Sequence, residues 1–431
     1  MEEKNTQQQE EYELIRETIK TRPINRKKLF RRTVITAAMA VIFGVLACIT
    51  FLVLEPVFSN LLSPKDEQPV AEVVKIPLQE DEILPQDMIL QEETPSPSPV
   101  IIKEVGDSSS SVERYSHLYT ELYNITRDIK RSTVTVTGIS EDTDWFNNKY
   151  ENKGQTTGLI VANNGIEQLI LTDYATISDA INIKVTYFND LTVDGLLKDT
   201  DKNTGLAIIA VKNYMLPSVL LDEKIVANLG SSKSSSPLGL PIIAIGRPLG
   251  NIDSIEYGMI TSKGNMLNLV DNNYELMTTD LHGTEDSTGI IYNLSAEVIG
   301  IIYQKGPADS SIISVLGISD IKKTIERMSN ATPRAYLGVI GTEVTPYAAS
   351  QGIPQGAYVT GVEMDSPAMK AGIQSGDVIT KVDNIEISTY SIFTEAITIH
   401  EPEDEASITV RRLGVDGYKD VTITVVLGEL R

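Results

Sequence analysis

A serine in a polar loop, Ser287, stands directly before two apolar segments that are typical of paired strands. Residues 289–292 and 298–302 are apolar, and the polar residues 293–297 between them favour a turn, which together predict a β-hairpin. A serine hydroxyl becomes a nucleophile when a neighbouring base accepts its proton and an acid orients that base. The chemistry open to this sequence therefore depends on which residues the fold brings to Ser287.

Short apolar or alternating segments, broken by Gly, Asn and Asp, fill residues 132–319. Many short strands at close and even spacing predict an all-β barrel or sandwich. Apolar residues recur at helical spacing over 112–130, which predicts a short helix that leads into this region. A second helix is predicted over 320–328, where the β region ends.

Six segments of this region, taken in order along the chain, resemble those of the HtrA (DegP-like) serine proteases. They are residues 157–160, 170–177, 203–209, 244–250, 257–262 and the serine segment 278–303. The resemblance implies a mostly β fold, with a trypsin-like double β-barrel over residues 112–330. It also places the nucleophile of that family on Ser287.

The other two positions of the family's catalytic triad carry residues without acid–base chemistry. The resemblance aligns the histidine position with Ala175 and the aspartate position with Gly205. A methyl group cannot accept a proton, and glycine has no side chain that could orient a base. The chain holds three histidines, His117, His282 and His400, and only His282 lies close to the serine in sequence. We therefore expect a degenerate triad without a replacement base.

The serine loop carries carboxylates where the family needs backbone donors. A family glycine that helps to form the oxyanion hole, two residues before the serine, is Glu285 here, and Asp286 follows it. Two carboxylates oppose the negative charge that develops on a tetrahedral intermediate. Ser287 is then a remnant of the nucleophile. Two other interpretations remain open: an ordinary loop hydroxyl, or a nucleophile activated by a desolvated lysine.

Residues 335–431 resemble a PDZ domain over nearly their whole length. The matching segments are 335–339, 356–359, 366–373 and 376–382. The resemblance implies an α+β fold in which backbone N–H groups of Tyr336, Leu337 and Gly338 bind a peptide carboxylate. The peptide would pair with a strand that begins at Val339, and the last predicted helix would form the other wall of the groove. The alternative is a groove that the chain fills with its own residues.

The N-terminal residues predict a membrane anchor. Residues 1–32 are polar and end in a cluster of Arg and Lys, and the next 22 residues, 33–54, carry no charge. A helix of that length crosses a hydrocarbon core of about 30 Å. The positive-inside rule places the tail in the cytoplasm and the folded domains outside, in a single-pass protein of the cell membrane. The alternative, a cleaved signal peptide, lacks the small-residue cleavage site that it needs.

Composition sets further limits on structure and partners. Residues 55–111 carry twelve acidic residues against three lysines, which predicts a disordered acidic linker. The formal net charge of -22 argues against a nucleic acid partner, because phosphate binding requires clustered Lys and Arg. The single cysteine, Cys48, excludes an intrachain disulfide. No residue pattern predicts a metal site or a cofactor.

Together these expectations describe an extracytoplasmic, membrane-anchored, HtrA-like pseudoprotease. Its PDZ groove and barrel domain would bind unfolded polypeptides or protein C-termini in protein quality control. The alternative function is an active HtrA-type serine endopeptidase that degrades misfolded exported proteins. The resemblance also implies a homotrimer, or a mixed oligomer in which this chain is the structural partner of an active paralogue.

The predicted topology can be tested on cells stripped of their wall. An added protease should cleave the linker near Ser96 and release a soluble fragment with the folded domains, because the linker is predicted to be extracytoplasmic and unprotected. Immunoblotting against the PDZ domain measures the fragment, and a cytoplasmic protein serves as the control for leakage. A fragment that forms only after permeabilisation would show the opposite orientation.

Overall fold

The computed structural model describes residues 30–31, 34–43, 46, 71–77, 111–143, 149–233, 238–304 and 311–430. The chain divides into two compact units, Met1–Pro69 and Val70–Arg431. In the first unit residues 34–43 are helical, and nearly all of the predicted tail and much of the predicted span lie outside the described residues. No helix in the described ranges combines the length and the apolar character that spanning a membrane requires.

Six antiparallel strands form the first closed barrel, in the order β1-β2-β3-β6-β5-β4. They are β1 (Thr133–Thr143), β2 (Lys149–Asn163), β3 (Glu167–Asp173), β4 (Asn182–Thr186), β5 (Thr192–Asp201) and β6 (Leu206–Lys212). Val134 and Val136 on β1, like Ile183 and Val185 on β4, are two residues apart and share one buried core. Alternate residues of a strand face the same side, so this spacing is what fills the barrel.

The second barrel closes in the order β8-β9-β10-β13-β12-β11, because β11 pairs with both β12 and β8. Its strands are β8 (Pro241–Arg247), β9 (Ser254–Leu269), β10 (Asn272–His282), β11 (Thr288–Tyr292), β12 (Glu297–Ile302) and β13 (Ile312–Gly317). A short strand, β7 (Asn228–Leu229), pairs parallel to β12. The hairpin predicted after Ser287 is thus β11 and β12, and the predicted double β-barrel is confirmed.

Two longer helices flank the barrels, and both were predicted. Helix α1 (Ser111–Ile129) precedes the first barrel, and α2 (Ile318–Ser329) follows the second. One face of α2 is apolar, since Ile321, Ile325 and Met328 recur at three to four residues and are fully buried. They belong to a core cluster with residues of both barrels. Helix α2 therefore packs against the two barrels together.

The C-terminal residues form an α+β domain with a hydrophobic core of its own. Its sheet runs in the order β15-β16-β17-β19-β20, with β18 beside β17 and a separate pair β14-β21. The strands are β14 (Ala335–Tyr336), β15 (Val339–Glu343), β16 (Ala357–Val362), β17 (Val378–Val382), β18 (Ile385–Glu386), β19 (Glu405–Gly414), β20 (Gly417–Val426) and β21 (Gly428–Glu429). The helices are α3 (Pro346–Ser350), α4 (Pro367–Ala371) and α5 (Tyr390–Thr398).

Residues 71–77, within the predicted disordered linker, pack against the folded domains. Val74 and Ile76 are each 8% exposed and join the core cluster that contains α2. Asn330, just after α2, donates to the Val74 carbonyl oxygen at 2.8 Å and accepts the Val74 N–H at 2.9 Å. The prediction of disorder does not hold for this segment, because its acceptors and apolar partners lie about 250 residues away in sequence and only the fold brings them near.

The contact of Asn330 with this segment can be tested by substitution. Asn330→Ala leaves the N–H and the carbonyl of Val74 without their partners, so the free energy of unfolding should fall by about 1–3 kcal/mol. Urea denaturation followed by circular dichroism measures the change. Asn182→Ala, at an exposed position on β4, is the matched control and should change stability little. An equal decrease in the free energy of unfolding in both variants would contradict the role of Asn330 in holding Val74.

Candidate functional site

A cavity of about 310 Å³ lies between the two barrels and brings together the three positions assigned to a triad. Ala175 and Ser287 line it directly, and Thr204 and Leu206 line it on either side of Gly205. The alignment made from the sequence therefore selects residues that are neighbours in space. What the cavity can do depends on the groups that these positions supply.

The first barrel places Ala175 and Gly205 in adjoining turns. Ala175 follows β3 and Gly205 precedes β6, and the N–H of Tyr174 donates to the Gly205 carbonyl oxygen at 2.8 Å. The carboxylate of Asp201 holds the second turn, accepting the N–H of Thr204 at 3.1 Å and its hydroxyl at 2.6 Å. Gly205 has a φ of 74°, a left-handed conformation that favours glycine. Neither position supplies a base or an acid to the cavity.

The Ser287 hydroxyl is held by internal hydrogen bonds. The residue is 3% exposed, and its Oγ donates to the carbonyl oxygen of Pro248 and accepts the N–H of Thr284 at 2.7 Å. Pro248 follows β8, so the first bond connects the serine loop to a neighbouring loop of the same barrel, and the second lies within the serine loop. The single proton of the hydroxyl is therefore committed to a carbonyl oxygen instead of a base.

The backbone N–H of Ser287 is also used within the serine loop. The N–H of Ser287 donates to the Thr284 carbonyl oxygen at 3.0 Å, which closes a tight turn through Glu285 and Asp286. In trypsin-type catalysis the N–H of the nucleophile is one of the two donors to the oxyanion. Both carboxylate residues of the turn are exposed. The loop thus presents negative charge where the reaction requires hydrogen-bond donors.

Ionisable groups do line the cavity, but neither lysine nor histidine is among those in the described part of the chain. They are Asp173, Arg247, Glu285, Asp286 and Tyr303. Arg247 donates from Nε to the Gly250 carbonyl oxygen at 2.5 Å. A guanidinium stays protonated and cannot serve as a general base. The described geometry therefore offers nothing to support the interpretation of a lysine-activated serine.

The three histidines lie elsewhere. His117 is exposed on α1, and His282 is exposed at the end of β10. His400 lies in the C-terminal domain, where its Nε2 is 2.7 Å from the Asp383 carboxylate. None of the three lines the cavity.

Three backbone N–H groups of the predicted peptide-binding loop converge on a carboxylate of the same chain. The N–H of Leu337 donates to Asp271 at 2.7 Å, that of Gly338 at 2.8 Å and that of Val339 at 2.8 Å. Asp271 is 1% exposed and lies in the two-residue turn between β9 and β10. Tyr336, the fourth residue predicted for this site, lies in β14 and takes no part in these contacts.

The tip of this hairpin lies in the space between β15 and α5. The N–H of Asp271 donates to the Val339 carbonyl oxygen at 2.7 Å, and the same oxygen accepts the Tyr390 hydroxyl at 3.1 Å. Thr394 on α5 donates to the Asp271 carbonyl oxygen at 3.0 Å. Burial raises the pKa of the Asp271 carboxyl, while the three N–H groups and Arg334 oppose this rise. The chain's own residues therefore occupy the start of the predicted groove.

Sequence reasoning missed three residues that shape these two sites. Pro248 holds the serine hydroxyl, Asp271 meets the PDZ loop, and Tyr390 contacts the first strand of the groove. Asp271 and Asn272 form a pair that favours a turn. No signal in the sequence tells which distant loop that turn will meet.

Comparison with known proteins agrees with this architecture. The PDZ domain family matches residues 335–427. A protein of Hahella chejuensis named "Probable periplasmic serine endoprotease DegP-like" is 30% identical over 302 residues, covering 66% of this chain and 61% of that protein. "Serine protease Do-like HtrA" of Lactobacillus helveticus is 25% identical over 300 residues, 64% of this chain and 70% of that protein. The solved structure "HtrA-type protease AlgWS227A with decapeptide" has a TM-score of 0.52 at 21% identity, covering 71% of this chain and 97% of that one.

These similarities define the class of the chain. It is HtrA-like, with a trypsin-type double barrel followed by a C-terminal PDZ domain, as the motifs predicted. At 21% identity the solved structure shows the fold alone. The chain spans 61% of the length of the Hahella protein. What this chain does must therefore be argued from its own residues.

Substitution of Ser287 separates a structural serine from a catalytic one. Ser287→Ala leaves the Thr284 N–H and the Pro248 carbonyl oxygen without the buried hydroxyl as their partner, so the free energy of unfolding should fall by about 1–3 kcal/mol. Urea denaturation measures this loss. Ser295→Ala, at an exposed turn position, is the matched control and should be nearly neutral. A variant as stable as the parent would mean that the described contacts do not hold the loop.

Proposed function

We propose that this chain is a membrane-anchored, extracytoplasmic HtrA-like protein that binds polypeptides and has no peptidase activity. The observation that carries the proposal is the cavity between the barrels. Ala175 and Gly205 supply neither base nor acid there, and the proton and the amide of Ser287 are used within the chain. In triad catalysis the base activates the serine, the acid orients the base, and backbone N–H groups stabilise the oxyanion.

Polypeptide binding is proposed for the PDZ domain. A loop with three convergent N–H groups, beside the edge of β15, has the geometry that captures a C-terminal carboxylate and adds the peptide as a strand. The structural relative named above holds a decapeptide, according to its description. We extend this kind of ligand to the present chain, with unfolded polypeptides or protein C-termini as the partners in quality control. Assembly as a trimer, or with an active paralogue, is part of the same proposal.

Membrane anchoring is proposed from the sequence alone. The uncharged residues 33–54 follow a cluster of Arg and Lys, and the acidic residues of the linker follow them. The positive-inside rule then places both the barrels and the PDZ domain outside the cytoplasm. The name of the Hahella protein includes the word periplasmic, which supports an extracytoplasmic location for a relative of this chain.

Catalytic inactivity is tested on the purified full chain with unfolded casein and a biotinylated serine-reactive phosphonate. We expect no casein cleavage above the rate in buffer and no label on Ser287, measured by gel electrophoresis and peptide mass spectrometry. Trypsin is the positive control, and the Ser287→Ala variant sets the background. Cleavage together with labelling of Ser287 would instead establish the alternative function, an active endopeptidase.

Restoring the two missing triad residues should not restore activity. The variant Ala175→His with Gly205→Asp still lacks the oxyanion donors, and one such donor is worth about 2.7–4 kcal/mol in transition-state stabilisation. The left-handed backbone at position 205 also disfavours the new aspartate. The same casein assay measures the outcome. Substantial activity in this variant would show that the serine loop can adopt a catalytic conformation.

A further inference from the structure

The hairpin of β9 and β10 reaches the PDZ domain with its tip and meets the groove at the place where a ligand would bind. We propose that this hairpin is an internal ligand of the PDZ groove, which a peptide with a free C-terminal carboxylate must displace. The inference rests on the peptide binding proposed above and names what controls access to that site.

The carboxylate contact is the first argument. Asp271 accepts the N–H groups of Leu337, Gly338 and Val339 at 2.7 to 2.8 Å, and it is 1% exposed. Three short bonds from consecutive amides are the arrangement by which such a loop captures a terminal carboxylate. A second carboxylate cannot bind the same three donors while Asp271 is in place. Asp271 and the carboxylate of a ligand therefore cannot occupy the PDZ loop at the same time.

The backbone contact is the second argument. A bound peptide adds to the edge of a sheet through main-chain hydrogen bonds. The hairpin does this over a short length: Val270 forms an antiparallel bridge with Ile340, and the N–H of Asp271 donates to the Val339 carbonyl oxygen at 2.7 Å. Asn273 adds a bond from its side-chain amide to the Gly341 carbonyl oxygen at 3.2 Å. The hairpin therefore imitates a peptide in its carboxylate and in its strand pairing.

The conformation of the turn is the third argument. Asp271 has a φ of 54°, a left-handed conformation that is uncommon for a residue other than glycine. Burial of a carboxylate also costs free energy unless its oxygens are fully hydrogen-bonded. The cost of burial is offset here by the amides of the PDZ loop. The buried carboxylate of Asp271 is thus explained by its partner.

The hairpin tip is also held from the side of the first barrel. Asn203 donates from its side-chain amide to the Val270 carbonyl oxygen at 2.8 Å. Asn203 lies outside the PDZ domain, so its substitution changes the hairpin without touching the groove. This position offers an independent way to loosen the contact.

The test uses the full chain and three variants. Asp271→Asn keeps the size and the left-handed tolerance of the residue but removes the charge, and Asn203→Ala weakens the hairpin from outside the domain. Asp190→Asn is the matched control, because Asp190 is an exposed turn residue with a φ of 61°. The first measurement is hydrogen exchange at the amides of Leu337, Gly338 and Val339. The second is fluorescence anisotropy with a labelled decapeptide that ends in Leu-Val-Val, as free acid and as amide.

We expect exchange at the three amides to be about tenfold faster in Asp271→Asn, and the free acid to bind about tenfold more tightly than to the parent. Asn203→Ala should shift both quantities in the same direction by less, and Asp190→Asn should shift neither. Exchange that is unchanged in both hairpin variants would overturn the proposal. So would equal binding of the free acid by the parent and by Asp271→Asn. If exchange is faster in the variants but no peptide binds, the contact of the hairpin with the PDZ loop is supported and the proposed peptide-binding function is refuted.

Discussion

Backbone N–H groups that face a cleft must find an acceptor, and this chain supplies its own acceptor at both of its clefts. The N–H of Ser287 donates to Thr284 at 3.0 Å in the serine loop. In the PDZ loop the N–H groups of Leu337, Gly338 and Val339 donate to Asp271. In an active peptidase or an open PDZ domain such donors bind the substrate or the ligand. In this structure they are bonded to acceptors of the same chain.

The buried core that holds the barrels together does not include Ala175. The shared core cluster contains residues of both barrels and of α2, such as Leu171, Tyr292 and Ile325, all of them buried. Burial of one large aliphatic side chain contributes about 1.5–3 kcal/mol. Ala175 is exposed on the surface of its turn. The side chain at position 175 is therefore not part of the buried core that stabilises the barrels.

A set of polar contacts connects the two clefts. Asp201 holds the turn that ends in Gly205, and its Oδ1 lies 3.6 Å from Arg327 and 4.0 Å from Arg334. Asn203, in the same turn, bonds to the hairpin tip that carries Asp271. The turn that contains Gly205 therefore also contacts the hairpin tip that meets the PDZ loop. A buried charge of this kind requires a partner. Removal of one partner of a buried ion pair lowers the free energy of unfolding by about 3–5 kcal/mol.

The sequence alone determined the double barrel and the PDZ domain, because periodic apolar residues and turn residues act locally along the chain. The sequence shows directly the period of the strands, the hairpin after Ser287 and the residues Ala175 and Gly205. Only the tertiary structure decided that Pro248 holds the serine and that Asp271 enters the PDZ loop. Asp271 and Val339 are 68 residues apart, and their contact arises from the length and twist of β9 and β10. Such long-range placement depends on how whole strands pack, and no local pattern of residues encodes it.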